Sequence, residues 1–148
     1  MAIMLICNPV KVWDFEDFFK SNPKTGYWVV PKTVFQEANS GDRLYLRVTS
    51  AHARPGIYGR FICTSKKTGT APSDHWKPNA HPSGLQYQII FEIEHYFPNY
   101  RISVDDLQSL GIKSSSRLLR VPQEKAASIG GDEADRMDEL LRKRAILS

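Results

Sequence analysis

The chain has 148 residues, 41% of them hydrophobic and 24% charged, with 20 Lys and Arg against 16 Asp and Glu. That balance suits one globular domain and excludes a disordered, fibrous or disulfide-stapled chain. Two cysteines are too few for a four-ligand zinc site, apolar runs such as Ile3–Cys7 are too short to span a bilayer, and no secretory leader is visible, so a reducing, cytoplasmic setting without membrane partners is expected.

Residues 2–7 (AIMLIC) form a β-prone run that leaves through Asn8-Pro9. In Asp14–Lys20 (DFEDFFK) the spacing of Phe15, Phe18 and Phe19 predicts a short amphipathic helix capped by Asp14. Tyr27–Val30 predicts a strand closed by Pro31, and Val34–Ala38 a helical turn. After the Ser40-Gly41-Asp42 turn, Arg43–Val48 (RLYLRV) alternates as a half-buried strand does. A loop at 50–56 leads into a strand over Ile57–Thr64, whose internal Gly59 marks a bulge or a close backbone approach.

Residues 65–84 read as a long polar loop, rare inside a compact domain unless functional or disordered. Tyr87–Phe97 predicts one long strand, and Val104–Leu110 a helix capped by Ser103, with Asp106 three residues on. Leu118–Val121 is expected as a last strand and 122–129 as a helical turn. After Gly130-Gly131, Asp132–Leu147 predicts a charged helix with Met137, Leu140, Leu141 and Ile146 on its apolar face and cations in its last turn, as the helix dipole favours. Residues 1–129 hold 16 basic against 11 acidic side chains and read as the domain proper. Residues 130–148, with 4 against 5, read as the start of a linker to a further domain.

Catalytic patterns are missing. His52, His75, His81 and His95 lack metal-ligand spacing, and no P-loop, GxGxxG or GxSxG occurs. Cys7 and Cys63 fall in apolar strands with nothing basic to activate them. Glu92 and Glu94 alternate with Ile89, Phe91 and Ile93, as solvent-facing residues would. The chain therefore reads as a binding domain rather than an enzyme, with no cofactor or metal.

The aromatic and basic residues carry more. Trp76 stands in the long polar loop, where a flat π-surface suits an extruded base. Trp13 reads as a lid on the core, and the surroundings of Trp28 decide nothing. Lys32, Arg54, Arg60, Lys66, Lys67 and Lys77 are candidate phosphate contacts, each adding about one unit of salt slope; each is equally well a solubilising surface charge.

The order of segments is itself informative: a first strand ending in Asn8-Pro9, GYWVVPK at 26–32, SGDRLYLRV at 40–48, RPGIYGRFICTS at 54–65, a Trp-bearing loop, a long strand through FEIE, a short helix, and SSRLLRVPQEKAASI at 115–129. Over about residues 2–129 this order resembles the EVE domain, a branch of the PUA-like fold, and at fold level the YTH modified-base readers. The resemblance implies an α+β pseudo-barrel of about five to six strands with peripheral short helices and one concave pocket for a modified base. Carried over, the aromatic cage falls on Trp28 and Trp76, and the base-edge reader on Asn8. Arg47, Ser50 and Tyr58 are further base-binding candidates. The resemblance also implies the N-terminal reader of a larger modification-dependent nuclease, flipping 5-methylcytosine or 5-hydroxymethylcytosine out of DNA. N6-methyladenine recognition, RNA binding by a PUA-like module and a protein-interaction role stay open as alternatives.

Overall fold

The computed structural model describes residues 1–69 and 85–148. One mixed sheet organises the chain. Its strands are β1 (Ala2–Cys7), β2 (Thr25–Val29), β3 (Arg43–Val48), β4 (Gly56–Gly69), β5 (Gln86–Tyr96), β6 (Ile102–Ser103) and β7 (Ala126–Ile129). The spatial order is β2-β5-β4-β3-β1-β7, with β6 paired to β4. Among the described residues four α-helices flank it: α1 (Phe15–Lys20), α2 (Lys32–Glu37), α3 (Val104–Ser109) and α4 (Gly131–Lys143). The expected α+β pseudo-barrel is present; among the described residues it has seven strands rather than five or six, and the sheet does not close.

The continuous apolar run of β1 follows from its place between β3 and β7, with both faces covered. Ile3, Leu5 and Cys7 enter one core with Trp13, Phe15, Trp28 and Phe61. Ala2, Met4 and Ile6 enter a second core with Tyr45, Leu107, Met137 and Leu141. In β1 and β3 the two-residue period divides the side chains between these layers. β1 pairs with β3 in parallel, Ile6 opposite Arg47 and Cys7 opposite Val48, so both strands end at the same edge.

β4 is longer than expected: residues 65–69, read as loop, continue the ladder against Gln86–Ile90. It bends through register shifts, one of which leaves Leu46 opposite Gly59 and Arg47 opposite Ile57. This is the bulge that Gly59 marked. A Cβ at Gly59 would stand 2.7 Å from the Phe61 ring, so only glycine fits there.

Two expectations fail near the C-terminal end. Leu118–Val121 is a turn in which Leu119 N and Arg120 N donate to Ser116 O, with Leu118 buried. The last strand is instead Ala126–Ile129, read as a helical turn. Ala126, Ala127 and Ser128 have poor β propensity; pairing with β1 across more than a hundred residues of chain imposes the strand. The boundary at residue 129 also cuts through a shared core. Ala134, Met137 and Leu141 of α4 pack on the second core, and Leu140 and Ile146 lie partly buried against it. The 130–148 segment is therefore packed onto the domain.

Charge fixes α4 in place as well. The Asp138 carboxylate, its side chain 3% exposed, accepts from Tyr45 Oη at 2.7 Å, Arg43 Nη1 at 3.0 Å, and Arg60 Nε and Nη2 at 3.0 and 3.2 Å. Burial raises its pKa, but the bonds from Arg60, Tyr45 and Arg43 outweigh that and hold the carboxyl below the usual range. At the other end of the helix, Arg144 Nη2 donates to Asp106 Oδ2 at 2.8 Å and so clamps α4 to α3. Ser103 and Asp106 form the full capping box of α3.

Candidate functional site

A cleft of about 960 Å³ opens where the parallel strands β1 and β3 end. The chain leaves β1 through Asn8, which lines the cleft beside Ile6 and Val12. It leaves β3 through Thr49 and Ser50, beside Arg47. The far wall is Leu119, Val121 and Pro122, followed by Glu124 and Lys125 on the approach to β7. Ile6 N donates to Lys125 O at 2.9 Å and brings that wall to the end of β1.

Two polar groups near the centre have fixed roles. Asn8 Oδ1 accepts from Val10 N and Lys11 N, both at 3.0 Å, and so holds the Asn8–Lys11 turn. Its Nδ2 makes no hydrogen bond among the described residues. Arg47 is 4% exposed, and its guanidinium donates from Nε to Leu118 O at 3.0 Å and from Nη1 to Val48 O. No carboxylate pairs with it among the described residues. Burial pushes its pKa down to about 10, which leaves it a cation at neutral pH. A buried cation is normally paired, because leaving water costs it several kcal/mol. Lys11 and Lys125 also line the cleft, against Glu124, its one acid among the described residues. Burial lowers the pKa of Lys125. The cleft is thus apolar-walled, net cationic and rich in hydrogen-bond donors.

The structure gathers three of the expected base-binding residues at this cleft: Asn8, Arg47 and the exposed Ser50. Trp28 does not join them. It is fully buried, packs edge-on to Trp13 at 4.8 Å, and donates from Nε1 to Lys125 O at 2.6 Å. This bond ties β2, at one end of the sheet, to the approach of β7 at the other. Trp28 therefore presents no face for a base to stack on. Trp13 is the core lid that was expected, 1% exposed. Tyr58 is also a core residue: as the extra residue of the β4 bulge it turns into the first core, against Phe15 at 5.2 Å, and its hydroxyl donates to Arg54 O. No aromatic side chain lines the cleft among the described residues. Trp76 and Lys77 lie outside the described residues.

The phosphate candidates disperse. Arg60 is spent: besides Asp138 it binds Glu94 through Nη1, and its side chain is 12% exposed. Lys66 donates to Phe35 O at 2.7 Å and sits 5.0 Å from the Phe35 ring centre. Arg54 and Lys67 are exposed and not part of the cleft lining, although Arg54 adjoins Pro55, which is. Lys32 borders a smaller hollow of about 440 Å³, which shares Glu124 and Lys125 with the main cleft. Lys11 and Lys125, the lysines that line the cleft beside Arg47, were not singled out from sequence. Lys11 carried a signal, its place in the turn begun by Asn8-Pro9. Lys125 carried none, since only the pairing of β7 with β1 brings it there.

Among the described residues no cluster of His, Cys, Asp and Glu suits a metal ion, and no helix is long and apolar enough to cross a membrane. Both cysteines are buried, and burial pushes the Cys7 thiol up, away from the thiolate a nucleophile needs.

No family model matches the chain, and no curated protein matches its sequence. Its fold, however, is shared along almost its whole length. A hypothetical protein from Leishmania major superposes with a TM-score of 0.66 at 14% identity, over 97% of this chain and 96% of that one. Human THYN1, in complex with 5-methylcytosine-containing DNA, gives 0.59 at 15%, over 94% and 96%. The ASCH protein of Zymomonas mobilis gives 0.55 at 11%, over 94% of each chain. At such identities the likeness is one of fold, and that fold is the α+β PUA-like pseudo-barrel that the EVE resemblance implied.

Proposed function

We propose that this chain is a reader of modified bases in DNA, taking a flipped 5-methylcytosine or 5-hydroxymethylcytosine into the cleft at the ends of β1 and β3. The observation that carries this reading is the buried Arg47 guanidinium, lacking a carboxylate partner among the described residues, in a cleft also lined by Lys11 and Lys125. Lysines at the mouth suit the phosphates that flank a flipped nucleotide. THYN1, similar in fold, has been captured with 5-methylcytosine-containing DNA, which supports that base as ligand.

The energetics set the expected selectivity. Flipping costs a few kcal/mol and is offset by the contacts the base gains in the cleft. A 5-methyl group against Val12, Leu119 and Val121 adds about 0.8 kcal/mol. Alone that is about fourfold in affinity. The reader binds without cutting; its use is modification-dependent restriction, with cleavage by a nuclease domain joined to it, a role supported by the EVE resemblance.

Fluorescence anisotropy on two duplexes that differ in one central 5-methylcytosine tests this. The methylated duplex binds about fourfold more tightly at each salt concentration. Equal affinities throughout the series would overturn the reading.

A further inference from the structure

We infer that Asn8 and Arg47 form a donor-only reading pair that selects a base presenting two adjacent acceptors, as cytosine does through O2 and N3, and rejects N6-methyladenine. This deepens the proposed function and rests on it.

An asparagine normally offers a donor and an acceptor, and so tolerates most base edges. Asn8 has lost half of that capacity. Its Oδ1 has two lone pairs, and both are taken by Val10 N and Lys11 N. The turn that fixes the side chain thus also fixes its polarity, leaving Nδ2–H as what it can offer. Arg47 is a donor by chemistry, since a guanidinium has five N–H groups and no acceptor. Two of those bonds go to Leu118 O and Val48 O, and no others are made among the described residues. Both residues line one cleft, and the register of β1 against β3 places Arg47 level with Ile6, two residues before Asn8. The acidic group of the lining, Glu124, is exposed, whereas Arg47 is buried.

A base that meets these two residues must bring acceptors. Cytosine presents N3 and O2 side by side, and C5 methylation leaves both untouched. The pairing edge of N6-methyladenine presents one acceptor, N1, next to an N–H donor, which would face another donor across the cleft. A donor set against a donor leaves both groups unpaired and desolvated, a loss larger than a missing contact. A matched pair of bonds discriminates by about tenfold or more.

The test uses three duplexes, identical except for one central 5-methylcytosine, N6-methyladenine or unmodified cytosine, with affinity read by anisotropy at fixed salt. The expected result is 5-methylcytosine about tenfold tighter than N6-methyladenine. Asn8→Asp keeps an oxygen for Val10 N and Lys11 N while turning the free donor into an acceptor. It leaves the thermal midpoint near that of the wild type and reduces the 5-methylcytosine to N6-methyladenine ratio about tenfold. Because the ratio is read, the added negative charge, which weakens both duplexes alike, does not matter. Equal affinity for the two modified duplexes, a preference for N6-methyladenine, or an unchanged ratio in Asn8→Asp would overturn the inference while leaving a modified-base reader standing. Tighter binding of a duplex with an unpaired guanine, whose O6 and N7 are also adjacent acceptors, would overturn the assignment to cytosine. If methylated and unmethylated cytosine bind alike, the proposed function itself fails.

Discussion

Replacing Asp138 by alanine removes the charge that holds α4 to the sheet. The carboxylate receives four hydrogen bonds, from Tyr45, Arg43 and, twice, Arg60. Taking one partner from a buried ion pair costs about 3–5 kcal/mol, because the other charge is left in the interior. Here each arginine keeps a second acid: Arg43 retains Asp135 at 2.8 Å and Arg60 retains Glu94. The loss therefore falls at the lower end, about 3 kcal/mol, or about 6–12 °C in Tm for a chain of this size. Urea unfolding followed by circular dichroism measures it, with Asp135→Ala as the surface control at about 0.5 kcal/mol. If Asp138→Ala costs under about 1 kcal/mol, α4 is held by its apolar face alone and the network contributes no more than an exposed pair.

The same carboxylate predicts how stability responds to acid. Its folded pKa is depressed, as is that of Asp106, where the bonds from Arg144 and Ser103 outweigh burial. Stabilisation is then fully present above the unfolded value near 4 and is lost as pH falls below it; in Asp138→Ala the urea midpoint changes less between pH 5 and pH 3 than in the wild type. Lys11→Ala and Lys125→Ala each lower the slope of log affinity against log salt by about one unit without altering the preference among bases, whereas Lys67→Ala, away from the cleft lining, leaves the slope unchanged. Trp28→Phe loses the Nε1 bond to Lys125 O and some core volume, costing about 2 kcal/mol in urea unfolding; a change in DNA affinity at unchanged stability would instead restore Trp28 as a contact surface. Gly56→Ala forces a side chain onto φ +150° with its Cβ 2.3 Å from Ile102 O, and the strain costs about 1–3 kcal/mol of stability.

The elements legible in the sequence were those whose causes are local. Phe15, Phe18 and Phe19 with the Asp14 cap marked α1, and Ser103 with Asp106 marked α3, because a cap and a helical stripe act within a few residues. RLYLRV announced β3, although its alternation suggested a half-buried strand and both of its faces are covered. What failed depended on distant partners. Ala126–Ile129 is a strand because β1 accepts it, and Leu118 is buried without being in a strand because the second core needs it there. The charged helix read as the start of a linker because it follows the Gly130-Gly131 break and runs to the end of the chain. In fact Asp138 is the most enclosed of its acids, matched to Arg43, Arg60 and Tyr45 on two strands of the sheet.

The candidate site divides along the same line. Asn8, Arg47 and Ser50 were named through the EVE and YTH resemblance, and all three line the cleft where β1 and β3 end. Trp28 was carried over by the resemblance and Tyr58 offered as a further candidate, but a large ring turned inward from an edge strand or a bulge fills a small core, and that is where both went. The consequence reaches the mechanism. With Trp28 turned inward and bonded to Lys125 O, it holds the far wall of the cleft, and the proposed reading of a base there rests on hydrogen bonding rather than stacking at the described residues. Under the proposed function, selectivity would follow from the polarity of the edge that Asn8 and Arg47 meet, with the methyl group adding a smaller apolar increment.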